Sequence, residues 1–293
     1  MTLVRHYDAA TAPRGPLRHL KSLIGYPALI WRNRYMLQNS MRRDLLGRVH
    51  GSFLGVYWIL LQPMFQFALY FVVFGLLYGD PEQDRVKFAI YLFTGVIVFL
   101  SLIESTTQSC TTILDNGNLV KKVAFPSEVL PIHIGLVSIV TYIVGAAVCL
   151  VVGMSTGVLH PGWLLLAMPL VLLVQFVMTI GIGLMLANLY VFVRDVGQVW
   201  RIFAIAWQFL SPVFWHPDLV EKSAIGPSGL WYLANLNPAY PLIMSHRLAL
   251  GMTDAELGDF WTQLGIAAVW ATFFLVLGYS TFMASKHKYA DLV

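Results

Sequence analysis

Few residues of this sequence have the types and spacing that catalysis requires. There is no G-x-x-x-x-G-K-[ST] phosphate-binding loop, no H-E-x-x-H and no C-x-x-C. No pair of histidines stands at metal-ligand spacing on one helix face, so no metal site is predicted. Cys110 and Cys149 lie far apart along two apolar runs and are expected to be free thiols. We therefore predict no catalytic residue and no cofactor bound by this chain.

The composition indicates a membrane protein. Of the 293 residues, 58% are hydrophobic and 12% are charged. Soluble domains are about 45–50% apolar and about 25% charged. This balance excludes a disordered chain or a disulfide scaffold, and it argues against a soluble enzyme. The basic residues follow the membrane topology and form no stripe on one face, so nucleic acid is not an expected partner.

The apolar runs predict the fold class, an all-α integral membrane protein with six transmembrane helices. A spanning helix needs about 20 apolar residues, and a barrel would instead show alternating segments of about ten. The predicted spans are 53–78, 88–109, 131–159, 162–193, 196–215 and 261–285. Residues 1–50 form a cytoplasmic N-terminal segment, and residues 51–293 form the six-helix membrane domain.

The distribution of charge predicts the orientation. With six spans, 15 of the 19 Lys and Arg residues fall on the side of both termini. The excess of basic residues on that side predicts that both termini are cytoplasmic.

Two segments are predicted to form helices that do not span. Ile30 and Trp31 belong to an apolar stripe with Arg34 beside it, which favours an amphipathic helix on the inner membrane surface. A soluble cytoplasmic helix is the alternative. Prolines interrupt residues 230–250, which predicts short helices at the outer face, with Asn237 as an N-cap before Pro238. Residues 253–256 fit a capping box before the last span.

The loop between the second and third predicted spans favours partner binding. Asn116 starts a turn, and Leu119 can face a partner groove with Lys121 and Lys122 beside it. Phe125 and Pro126 end this segment. The alternative is a loop that lies back on the lipid headgroups. Arg194 and Asp195, at a tight inner turn, form a second predicted contact or only a surface ion pair.

Aromatic residues in the first predicted span could line a path for a transported molecule. Aromatic rings offer stacking area, and Tyr and Trp add a polar group. Packing between helices, or an interfacial belt, is the alternative for each of them. Glu104 is the one acid inside a span, and it could line the inner mouth of the path, pair with Arg201 or stay protonated by burial. A structural or mouth-lining role is favoured over proton coupling. The path residues under this hypothesis are Tyr57, Trp58, Phe65, Tyr70, Phe74 and Glu104.

Several motifs, in this order, resemble the permease subunits of ABC type 2 exporters of O-antigen, capsular polysaccharide and teichoic acid. The motifs are Arg42-Arg-Asp-Leu-Leu-Gly-Arg-Val-His-Gly-Ser-Phe-Leu-Gly-Val-Tyr-Trp58 with Gln62-Pro63, Asn118-Leu-Val-Lys-Lys-Val-Ala-Phe-Pro126 with Leu130-Pro131, Phe192-Val-Arg-Asp195, and Asn237-Pro238. The resemblance extends from about Arg32 onward.

The resemblance implies a homodimer in the bacterial inner membrane, partnered by two copies of a separate ATPase that holds ATP and Mg²⁺. The N-terminal helix and the loop around Lys121 would contact that ATPase. The path would lie at the dimer interface and accept an undecaprenyl-linked polysaccharide. Short periplasmic gate helices before the last span would carry the gate residues Trp215, Asn237, Pro238 and Tyr240.

Three other functions remain open at this point. A type 2 permease for teichoic acid, lipid or drug export has the same composition. A membrane-embedded transferase acting on lipid-linked sugars would need catalytic groups clustered at one membrane face. A proton-coupled transporter would need ionisable residues at the midplane. The single acid within the spans, Glu104, fits the last two poorly.

Overall fold

The computed structural model describes residues 22–47, 53–73, 85–121, 126–224, 226–254 and 257–292, and these residues contain no β-strand. The predicted site residues Phe74, Lys122 and Phe125 lie outside them. The α-helices, in chain order, are α1 (Tyr26–Arg32), α2 (Arg34–Gly47), α3 (Trp58–Tyr70), α4 (Arg85–Asp115), α5 (Gly117–Val120), α6 (Leu130–Ser155), α7 (Met168–Phe192), α8 (Val196–Leu210), α9 (Pro217–Glu221), α10 (Gly226–Leu236), α11 (Ala239–Ala249), α12 (Phe260–Ser285) and α13 (Tyr289–Leu292).

Within the described part of the chain, four helical segments are long and apolar enough to cross a membrane. They are Arg85–Asp115, Ser127–Ser155, Trp163–Phe192 and Phe260–Lys288, and they coincide with the second, third, fourth and sixth predicted spans. The fifth predicted span contains α8, whose 15 residues extend about 22 Å. The first contains the shorter apolar helix Leu60–Val73. The count of six spans therefore remains a prediction.

Helix α4 forms the centre of the bundle. It packs against α6, α7 and α11, and every residue from Ala89 to Phe99 is buried. A helix buried all round needs apolar residues on every face, which explains why its sequence shows little periodicity.

The tightest helix pair is α7 with α12. Gly181 and Gly278 face each other there, and a Cβ at Gly278 would overlap the carbonyl oxygen of Gly181. In lipid the hydrophobic effect does not favour contact between helices, so close packing through small residues has to hold such a pair together.

The N-terminal segment differs from the single stripe that its sequence predicts. The segment is divided at Asn33, which separates α1 from α2. Among residues 22–47, Tyr26 and Leu37 are the buried side chains, whereas Ile24 is 82% exposed and Trp31 is 69% exposed. Contacts with the bundle decide which face is buried, because Tyr26 packs on Tyr279 with 5.0 Å between ring centroids. A position on the membrane surface remains a prediction.

One predicted boundary was wrong. Helix α4 continues to Asp115, beyond the predicted end at residue 109, so the following loop is shorter than expected. The last span is capped by Asp259, whose carboxylate accepts a hydrogen bond from the Thr262 N–H. The predicted capping box at 253–256 includes residues 255 and 256, which lie outside the described residues. Hydrogen bonds from Thr262 lower the pKa of the Asp259 carboxyl.

Candidate functional site

The predicted docking loop follows the end of α4. The Asn116 carbonyl accepts hydrogen bonds from the N–H groups of Leu119 (2.8 Å) and Val120 (3.1 Å), and its side chain bonds to Thr112 O (2.9 Å). Leu119 is half-buried and Lys121 is exposed. We call this end of the bundle the basic end, defined by Arg42, Lys121, Arg194 and Lys286. The loop therefore presents a cation beside a partly covered apolar turn.

A group of three residues, which we call the clasp, holds the chain just after this loop. It consists of Tyr26, Glu128 and Lys286. The Tyr26 hydroxyl donates to the Glu128 carbonyl (2.8 Å), and Lys286 Nζ lies 2.5 Å from the Glu128 carboxylate. Burial raises the pKa of the Tyr26 hydroxyl well above its ordinary value, which keeps it protonated as a donor. The clasp joins the N-terminal segment, the loop and the C-terminal segment.

Two further contacts support the same connection. His133 Nε2 of α6 lies 3.1 Å from the Asp44 carboxylate of α2, and the Tyr289 hydroxyl donates to Asn188 Oδ1 of α7 (2.9 Å). A force on the loop would thus reach α2, α6, α7 and the C-terminus together. Sequence reasoning missed these partners, although a lone acid, Glu128, before an apolar run was a usable signal.

The other predicted contact residues lie at the same end. Arg194 and Asp195 are exposed, and the Asp195 carbonyl accepts the first backbone hydrogen bonds of α8. Ile30 packs against the core cluster around Tyr26. The Arg34 guanidinium stacks 5.0 Å from the centre of the Trp31 ring. Pro126 stands before the turn that leads into α6. The structure therefore groups these residues at one end of the bundle, and their role as partner contacts remains a prediction.

Most of the predicted path residues on and just before α3 are exposed, and one packs inward. The Tyr57 side chain is 68% exposed, Trp58 is 46% exposed and Phe65 is 74% exposed, whereas Tyr70 packs against the core. Glu104 is exposed on the side of α4. An aromatic surface of this kind is available to lipid or to a second copy of the chain.

The predicted gate residues come together at the end opposite the basic end. The rings of Trp215 and Tyr240 lie 6.2 Å apart. Asn237 Oδ1 accepts hydrogen bonds from Trp207 Nε1 (2.7 Å) and from the Ala239 N–H (3.0 Å). The sequence predicts Asn237 as the N-cap and Pro238 as the first helical residue, whereas the structure has Pro238 at the N-cap of α11. The Asn237 side chain nevertheless accepts the first N–H of the helix, from one residue earlier in the chain.

Arg247 of α11 is the residue of this region that sequence reasoning missed. Its guanidinium is fully buried, donates to Tyr91 O (2.8 Å) and lies 3.4 Å from the centre of the Tyr91 ring. Its Nε lies 3.3 Å from Thr94 Oγ1. A single cation within the apolar segment 230–250 was a usable signal, because such a residue indicates a buried polar anchor. Arg247 ties α11 to the end of α4 that lies away from the basic end.

The described residues hold no group of three or more His, Cys, Asp or Glu that could bind a metal. One segment, Gly153-Met-Ser-Thr-Gly157, matches the G-x-S-x-G pattern of hydrolases. Its Ser155 ends helix α6 and donates to Val152 O (2.9 Å). A nucleophile elbow requires a strand-to-helix turn, so this match has no catalytic context.

The chain matches a known protein family and is similar to individual proteins. A family model described as "ABC-2 type transporter" matches residues 35–250. The chain is similar to the O-antigen export system permease protein RfbA of Myxococcus xanthus, with 25% identity over 264 residues that cover 90% of this chain and 97% of the relative. It is also similar to an RfbA of Klebsiella pneumoniae, with 24% identity covering 86% of this chain and 92% of the relative.

Proposed function

Because the chain belongs to the ABC-2 type transporter family, we propose that it is the membrane subunit of an ATP-driven exporter that moves a lipid-linked polysaccharide of O-antigen type out of the cytoplasm. The observation that carries the proposal is the nearly full-length similarity to RfbA of Myxococcus xanthus, named as a permease of O-antigen export. The four membrane-capable helices of the described residues support the proposal, because such a subunit has to cross the membrane.

A separate ATPase would drive the transport. The sequence has no phosphate-binding loop of its own. The exposed Lys121 turn and the neighbouring Arg194 and Asp195 offer a docking surface at the basic end. The clasp joins that surface to the N- and C-terminal segments, so a movement of the ATPase would be passed to α6, α7 and α12 together.

The path would form between two copies of the chain. The aromatic side chains of Tyr57, Trp58 and Phe65 are exposed on a single copy, and pairing would cover them. Sugar rings have apolar faces that stack on aromatic rings, while hydroxyl groups bond to Tyr and Trp. Helices α9, α10 and α11 would close the outer end, with α11 anchored by Asn237 and Arg247. Both termini would be cytoplasmic.

Charge reversal at Lys121 tests the docking surface. We expect Lys121→Glu to weaken binding of the ATPase by at least about tenfold, because like charges across an interface cost several kcal/mol. The measurement is the affinity of the purified permease for its ATPase at two salt concentrations, since an electrostatic contact weakens as salt rises.

Lys222→Glu is the matched control. It makes the same charge change at the opposite end, where Lys222 forms only an exposed pair with Asp218 at 3.6 Å. We expect wild-type docking for this variant. Equal affinity of the Lys121→Glu variant and the wild type for the ATPase would show that the loop is not the docking surface.

A further inference from the structure

A small cavity opens at the basic end, where α4, α7 and α8 meet. Its volume is about 200 Å³, and its polar lining includes Thr107, Thr111, Tyr190, Arg194, Gln198 and Arg201. Pockets for drug-sized ligands measure about 300–1,000 Å³. The space therefore suits a headgroup-sized ligand and excludes a sugar chain.

The lining favours a phosphate. Arg194, Gln198 and Arg201 recur at helical spacing, so their side chains share one face of α8 and of the turn that precedes it. Two guanidinium groups can bind phosphate oxygens in bidentate fashion, and Gln198 and Thr107 add neutral donors. No carboxylate lines the cavity in the described part of the chain. The hydroxyl of Thr111 already donates to Asp115 (2.6 Å), so it does not belong to the donors for a phosphate.

Local packing keeps the cavity open. A Cβ at Gly197 would meet the Tyr190 ring at 2.9 Å, so the absence of a side chain allows the ring to form one wall. Trp200 of α8 is buried and helps to hold the helix against the bundle. The arginines thus remain turned toward the cavity.

The surface of α8 beside the cavity is apolar and exposed. Arg201 lies six residues after Asp195, about 9 Å along the helix. Val199 and Ile202, its neighbours on α8, are 63% and 62% exposed, as expected for a surface that meets lipid. A lipid could therefore place its headgroup in the cavity while its chain remains outside.

We propose that this cavity binds the phosphate or pyrophosphate headgroup of a lipid. Two sources share this chemistry, namely the carrier lipid of the transported glycan and an ordinary anionic phospholipid. The assignment to the carrier rests on the proposed function. Arg194 is also a predicted ATPase contact, so the test uses Arg201.

The experiment measures lipid binding to the complex of permease and ATPase in detergent. The probes are a polyprenyl pyrophosphate, phosphatidylglycerol and a polyprenol without phosphate. We expect Arg201→Gln to lower pyrophosphate affinity by about ten- to hundredfold, as loss of a charge-assisted hydrogen bond would. Arg201→Lys should recover part of the affinity, because it keeps the charge without the fork. Thr107→Val should give a smaller loss.

Lys288→Gln is the control, because it removes one exposed charge from the same end outside the cavity. If Arg201→Gln lowers the affinity for the polyprenyl pyrophosphate alone, the cavity binds the carrier lipid. If the affinity for phosphatidylglycerol falls equally, the cavity binds ordinary phospholipid. Unchanged binding in Arg201→Gln, or an equal loss in Lys288→Gln, would overturn the proposal. We expect the Arg201→Gln variant still to bind the ATPase, so that a loss of lipid binding is not caused by loss of the complex. The proposed function itself fails if no ATPase binds the wild-type permease.

Discussion

Replacement of Gly278 by alanine is expected to separate α7 from α12 and to destabilise the permease by at least about 3 kcal/mol. Overpacking a core typically costs about 1–3 kcal/mol. Here the added methyl group would meet the carbonyl of Gly181 and the backbone nitrogen of Met185, and backbone atoms cannot move aside as a flexible side chain can. The measurement is the midpoint of thermal unfolding of the purified protein in detergent.

The same helix provides the control. Gly265 also lies in α12, but a Cβ there would meet no atom within 4 Å. We expect Gly265→Ala to leave the unfolding midpoint unchanged or to raise it slightly, since alanine favours a helix. Similar midpoints for Gly278→Ala and Gly265→Ala would refute the close contact between α7 and α12.

Replacement of Asn237 by alanine is expected to release α11 from α8 and to abolish most export. The side chain makes two accepted bonds, from Trp207 and Ala239, and donates to Leu210 O (3.1 Å) and Ser211 Oγ (3.0 Å). Each buried polar group left without a partner costs about 1–3 kcal/mol. The measurements are the unfolding midpoint and ATP-dependent export by membrane vesicles.

Two milder variants separate anchoring of α11 from general loss of fold. Asn237→Asp keeps both accepted bonds and loses the donated ones, so we expect an intermediate effect. Trp207→Phe removes a single donor and should have a smaller effect. If Asn237→Ala exports at the wild-type rate, the segment before the last span does not form a gate.

The sequence alone was sufficient to predict the position of most long helices. The centres of α4, α6, α7 and α12 follow from hydrophobicity, because a span has to satisfy its backbone within the helix and face lipid. Their ends were less predictable. Helix α4 continues to Asp115, since polar residues such as Thr111 and Asp115 can extend a helix beyond the lipid.

Which helices touch could not be predicted from one sequence. Gly181 and Gly278 are separated by nearly a hundred residues, and neither belongs to a motif that identifies its partner. Likewise, the clasp depends on Tyr26 and Lys286, which lie in different predicted regions. Both contact Glu128 because α12 returns to the basic end. Contacts of this kind depend on the three-dimensional path of the chain.

The candidate site was predicted in part. Asn237 before Pro238 carried a local capping signal, and the structure has that hydrogen bond. Arg247 carried only its charge, whose buried partners Tyr91 and Thr94 belong to another helix. The aromatic residues of the first span carried no signal for direction, because a ring suits lipid, a core or a path equally well.

The most direct test is to reconstitute the purified chain in liposomes with and without its ATPase and to measure transfer of a lipid-linked oligosaccharide across the bilayer. We expect transfer only when the ATPase and ATP are both present, and none when the ATPase cannot hydrolyse ATP. Transfer of the oligosaccharide by the purified chain alone would contradict the proposal that a separate ATPase drives export.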